Sequence, residues 1–127
     1  MNTKLLMTVS AIVLGLAGIL LTFLPHEILN YFSAASPPAA LALQVGGALY
    51  VGFAMTNWTA KAQLLGGIYG RPLVIGNLVH FVSGALALIK SYFSGEPRAV
   101  LVPLLIYLVF AVCFAAVFFR SPVNPPD

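Results

Sequence analysis

The chain has 127 residues, one domain by length, yet 61% are hydrophobic and only 7% charged, against roughly one quarter charged in a soluble domain. That balance excludes an aqueous globule and calls for lipid as solvent. The net charge of +3 comes from six basic and three acidic side chains scattered singly rather than in a phosphate-gripping run, which argues against nucleic acid as a partner. The lone Cys113 rules out an intramolecular disulfide or a cysteine metal site and reads as a small apolar filler.

A membrane helix needs about 20 mainly apolar residues to cross a ~30 Å hydrocarbon core. Four segments qualify: Leu5–Leu24, Ala39–Trp58, Pro72–Ile89 and Ala99–Phe119. Residues 1–120 therefore read as one transmembrane domain, with 121–127, which hold three prolines, as a flexible tail. The first span follows Lys4 much as a signal peptide would. It is longer than a typical apolar leader core and ends in Thr22-Phe-Leu-Pro25, without a small-residue cleavage site, so it is expected to be retained.

Helix pairing in lipid depends on close packing, because burying apolar surface gains little when the solvent is apolar. Small residues should then mark buried faces. On the first span Thr8, Ala11, Gly15, Gly18 and Thr22 form such a stripe at helical spacing. After it, Pro25 suits a first helical position, Glu27 falls in the first turn, and Ile28, Leu29 and Phe32 share a face. This predicts a short helix lying in the membrane interface. Ser36-Pro-Pro38 should end it and start the second span, where Gln44, Gly47, Ala54 and Asn57 repeat the small and polar stripe.

The middle loop, 59–71, carries Lys61, Gln63 and Tyr69, and its glycine-rich Gly66-Gly67-Ile-Tyr-Gly70 follows no strand, so it reads as a flexible loop rather than a phosphate cradle. On the third span Gly76, Asn77, His80, Ser83, Gly84 and Ala87 form the most polar of the stripes and should face the interior. The short connection 91–98 makes the last two spans antiparallel neighbours. The last span offers bulky Tyr107, Phe110, Phe114, Phe118 and Phe119, expected to meet lipid or a partner protein. Trp58, Tyr31, Tyr69 and Tyr92 fall near span ends, as interfacial anchors do.

Lys4, Lys61, Arg71 and Arg120 fall on the side of the termini, and Lys90 and Arg98 on the other. The excess places both termini in the cytoplasm of a cell inner (plasma) membrane. Asn57-Trp58-Thr59 matches a glycosylation acceptor but sits at that cytoplasmic edge, and reads as accidental.

Polar side chains inside a membrane are costly and mark candidate sites. His80 lies about 12 Å past Pro72 at 1.5 Å per residue, one turn from Asn77, and Asn57 approaches the same depth from the second span. These three, with Gln44, Tyr50 and Trp58, are the candidate ligand-binding residues. The plainer reading is that they tie helices together, at about 0.6 kcal/mol per bond. His26 and His80 differ in depth by about 15 Å, too far to share one haem iron. No carboxylate pair, metal-ligand spacing or catalytic motif occurs, so neither an enzyme nor a cofactor is expected.

The run Gly46-Gly-Ala-Leu-Tyr-Val-Gly-Phe-Ala-Met-Thr-Asn-Trp58, behind a glycine-bearing first helix and a proline-led amphipathic segment, resembles the small four-helix DoxX-like membrane proteins of bacteria over roughly the first three spans. The acidic residue common near the start of the family's second helix is absent, and Gln44 is the nearest polar substitute. The resemblance implies a membrane subunit accompanying redox or quinone-linked complexes, and it carries over no catalytic residue. The expected fold is an all-α four-helix membrane bundle with a short interfacial helix after the first span. Three functions remain open: a non-enzymatic subunit or scaffold with a protein partner or further copies of itself, a binder of a lipid or quinone-like ligand, and a small transporter or channel. Membrane lipids are partners in each.

Overall fold

A computed structural model describes residues 2–62, 70–95 and 98–120. The tail 121–127, the glycine-rich stretch of the middle loop with Tyr69, and Pro97 lie outside the described residues. The architecture is all-α, with no strand among the described residues. It comprises α1 (Thr3–Phe23), α2 (Pro25–Tyr31), α3 (Pro37–Ala60), α4 (Arg71–Phe93), a 3-10 turn (Arg98–Val100) and α5 (Leu101–Arg120). Four helices are long and apolar enough to cross a membrane: α1, α3, α4, and α5 with its leading turn. Each begins or ends within a few residues of the span expected from composition. The chain is thus a small multi-pass membrane protein.

Local chemistry sets the helix ends. Pro25 opens α2, where its missing N–H costs nothing. Ser33 then adopts φ 54°, and the Ala34 N–H reaches back to the Leu29 carbonyl at 2.9 Å, the closure that ends a helix with one left-handed residue. Ser36 caps α3 by accepting the Ala39 N–H at 3.3 Å, with Pro37 behind it. Gly95, at φ +87°, makes the turn after α4 in a conformation a side chain would strain.

The described residues fall into two compact units, Lys4–Lys61 with α1 to α3, and the part from Ala62 onward with α4 and α5. In the first unit α1 and α3 run antiparallel, since Ser10 meets Asn57, Gly15 meets Ala54, and Gly18 meets Gly47 and Val51. The approach is closest at Gly18 and Gly47. A Cβ on either would stand 2.7–2.8 Å from the other's carbonyl oxygen, so the two backbones touch directly, a geometry that favours Cα–H···O contacts. The adjacent Gly46 and the later Gly52 face open space, which separates the structural glycine from its neighbours. Of the expected stripes, Gly15, Gly18 and Thr22 of α1 meet Gly47 and Ala54 of α3, whereas Thr8 and Gln44 are not buried, and the most deeply buried residues of α1 are Met7, Ser10 and Leu14.

In the second unit α4 and α5 are also antiparallel, and here the expectation fails. Tyr107, Phe110 and Phe114 of α5 are buried and surround Phe81 of α4, itself fully buried. Phe81 stacks on Phe110 (centroids 4.8 Å, 23°) and on Phe114 (5.6 Å, 14°), and meets Tyr107 edge-on (5.2 Å, 70°). Only the end of the aromatic row, Phe119, is fully outward. On α4 the buried face is Val74, Asn77, Phe81 and Ala85, while Ser83 and Ala87 are exposed. The reason is steric: one ring that interdigitates with three others fills the seam more densely than small residues facing a bulky row. Gly84 provides the slot, for a Cβ there would collide with the Tyr107 ring.

Candidate functional site

The hydroxyls of Thr8, Thr22, Thr56 and Thr59 return to their own helices, bonding Lys4, Gly18, Gly52 and Met55 carbonyls at 2.8–2.9 Å. Such back-bonding satisfies a hydroxyl without a partner helix. The amide and imidazole groups behave differently. Asn57 on α3 is fully buried and donates its Nδ2 to the Ser10 Oγ at 3.0 Å, while the Ser10 hydroxyl donates to the Met7 carbonyl at 3.0 Å. A side-chain relay therefore joins α3 to α1, and the amide of the apparent glycosylation tripeptide faces α1. Asn77 on α4, also buried, donates Nδ2 to the Leu73 carbonyl at 2.9 Å.

His80, half-buried one turn further on, holds its Nε2 3.1 Å from the Tyr107 hydroxyl. Either partner donates, according to the imidazole tautomer. The histidine ring also leans on Tyr107 (centroids 5.4 Å) and Phe81 (5.1 Å). Among the described residues, no buried side-chain nitrogen or oxygen lacks a hydrogen-bond partner. No group of three or more His, Cys, Asp or Glu side chains there is placed to hold a metal.

The remaining candidates are spread along α3. Gln44 is exposed, and its Nε2 stands 3.5 Å from the Thr22 carbonyl, at the limit of a hydrogen bond. It is 13 residues before Asn57, about 20 Å along the helix axis, so these two serve different ends of α3. Tyr50 is half-buried. Trp58 is about half exposed, with the Lys61 ammonium 3.0 Å above its ring centroid, a cation–π contact. Asn57 belongs to the first unit, and Asn77 and His80 to the second.

Two residues escaped the sequence reading. Ser10 is the partner of Asn57, and its signal was register: an antiparallel pairing that sets Gly15 against Ala54 brings residue 10 opposite the end of α3. Tyr107 is the partner of His80, and its signal was the i, i+3, i+7 spacing it shares with Phe110 and Phe114, the mark of one buried face. Two open concavities also lie in the first unit. One, of about 320 Å³, runs between α1 and α3 past Gly15, Ala54 and Trp58. The other, of about 290 Å³, sits where α1 meets α2, beside Leu24, Glu27 and Tyr31.

Fold and site together define a small all-α multi-pass membrane protein whose span-embedded amide and imidazole groups are engaged within or between helices. Its sequence matches no protein-family model and no curated protein, and its fold matches no solved structure.

Proposed function

We propose that this chain is a non-enzymatic membrane subunit or scaffold of the inner membrane, with both termini in the cytoplasm. The observation that supports this reading is the use made of its polar side chains. Asn57 and His80, the groups best suited to bind or transform a ligand, are bonded to Ser10 and Tyr107 of neighbouring helices. Bonds of that kind lock helix register. What the helices present outward is apolar: Leu16, Leu49, Leu86, Val102 and Phe119 are all well exposed, a surface for lipid or another membrane helix. The likeness of Gly46–Trp58 to DoxX-like proteins agrees with a subunit role.

The test is native mass spectrometry of the protein released from its own membranes in mild detergent. A stoichiometric assembly with a second protein or further copies is expected. A monomer free of partners at every detergent concentration would sink the reading.

A second reading rests on His80. It is half-buried beside an aromatic hydroxyl, the donor–acceptor pair that a quinone-like carbonyl ligand would use. Asn77, one turn away on the same helix, is its further candidate residue. On that reading His80→Ala would strip a co-purified small molecule from a bundle that stays helical by circular dichroism. An unchanged ligand load would remove it.

A further inference from the structure

The concavity between α1 and α3 differs from the polar positions just described. Gly15 and Ala54 lie at its base, and Ile12, Ile19, Met55 and Trp58 line it. The last four are each 46–58% exposed, so the groove is open outward. Along α3 it extends from Val51 to Trp58, seven residues or about 10 Å, roughly a third of the hydrocarbon thickness. No charged side chain lines it. It owes its depth to a missing side chain: the nearest atom to a Cβ built on Gly15 is the Ala54 Cβ, at 3.5 Å.

One end of this apolar groove is cationic. Trp58 closes it, and Lys61, less than one turn further on, holds its ammonium against the indole. Because α1 runs antiparallel, with Ser10 beside Asn57, Lys4 lies at that same end. The only acidic residue between positions 2 and 62 is Glu27, in α2 at the opposite end. The cationic end is also the one that the distribution of basic residues assigns to the cytoplasm, where the leaflet carries anionic lipids.

We propose that the α1–α3 groove seats one acyl chain of an anionic phospholipid, with Lys61, assisted by Lys4, holding the headgroup phosphate. A neutral, quinone-like occupant would leave the charge of the ammonium at the mouth uncompensated. An acyl chain gains little by leaving bulk lipid for an apolar groove, so discrimination lies in the headgroup. The indole contact keeps the long lysine stem at interfacial depth, where that headgroup sits. This inference is independent of the subunit reading and holds equally for a monomer.

Trp58 is the sole tryptophan, which makes it the reporter. The full chain is reconstituted into phosphatidylcholine vesicles containing the same mole fraction of either dibrominated phosphatidylglycerol or dibrominated phosphatidylcholine, and quenching of Trp58 emission is compared. The anionic lipid should be enriched about fivefold at the site, the preference that one basic side chain confers at an anionic surface. Lys61→Ala should bring the two quenching curves together, and Lys61→Arg should keep them apart. Ile12→Phe, which fills the groove while leaving both lysines, should lower quenching by both lipids.

Equal quenching by the two lipids in the unaltered chain would overturn the proposal. So would a preference that survives Lys61→Ala, or quenching by both lipids that Ile12→Phe leaves unchanged, which would mean diffuse surface attraction without a seat. Suppression of the preference by free glycerol phosphate at millimolar concentration would also overturn it, by showing a site for a soluble anion. Circular dichroism of each variant confirms that the helices persist, and the Arg variant carries the test if Lys61→Ala proves unstable.

Discussion

The α1–α3 and α4–α5 pairs solve the same problem with opposite materials. Both are antiparallel, both have a glycine at a close contact, and both carry an interhelical bond between side chains. The first pair brings backbones together, Gly18 against Gly47, with almost nothing between them. The second sets the rings of Phe81, Tyr107, Phe110 and Phe114 against one another along its seam. In lipid neither gains much from hydrophobic transfer, so each must gain from contact density. Small residues achieve it by proximity, and aromatic residues by interdigitation. The difference teaches that a glycine means different things in the two seams: Gly47 admits a helix, whereas Gly84 admits a ring.

The sharpest way to break the first pair is to fill its contact. Gly47→Leu should cost about 3 kcal/mol or more, since the side chain would have to occupy the space of the α1 backbone. The same change at Gly46, which faces open space, should be close to neutral. The measurement is reversible unfolding in mixed micelles titrated with a denaturing detergent. If the two variants unfold together, the close approach of α1 and α3 is wrong.

For the second pair the counterpart is Phe81→Ala. In water such a change costs about 3–5 kcal/mol, but the transfer part shrinks when the unfolded helices also sit in lipid. What remains is the emptied space among three rings, about 2 kcal/mol. Next in size is Gly84→Ala, at about 1–2 kcal/mol of overpacking. Because the three atoms nearest such a Cβ all belong to the Tyr107 ring, Gly84→Ala should lose most of its penalty in a Tyr107→Ala background. A penalty that persists there in full would mean that Gly84 is needed for something other than the ring.

These contrasts also show where the sequence was legible. Four spans, the proline-led α2, the Ser36 cap and the small-residue contacts of α1 with α3 could be read, because length, apolarity, capping chemistry and small-residue spacing are local properties. The α4–α5 seam could not be read the same way. The rule that small residues mark buried faces describes backbone approach, and it put Ser83 and Ala87 inside and the α5 rings outside. The competing solution, a phenylalanine inserted among three aromatic residues, depends on the register of two helices, which no single helix encodes. The same limit hid Ser10 and Tyr107. A buried asparagine and a membrane histidine announce that partners exist, and only the pairing of helices says which residues they are.

The smallest expected effects concern those two bonds, and they test whether the polar groups are fasteners or something more. A double-mutant cycle on Ser10→Ala and Asn57→Ala should return a coupling of about 0.6 kcal/mol, and no more than about 1.7, the range measured for hydrogen bonds between membrane helices. Tyr107→Phe, which keeps the ring in the Gly84 slot and removes only the hydroxyl facing His80, should cost a similar amount. Equal, modest values would place both bonds in one role, setting register in seams whose strength comes from packing. If Tyr107→Phe were neutral or stabilising while the Ser10–Asn57 coupling stood, the pairs would differ in kind. His80 and its hydroxyl partner would then be held at a cost to the fold, as groups kept for a ligand are.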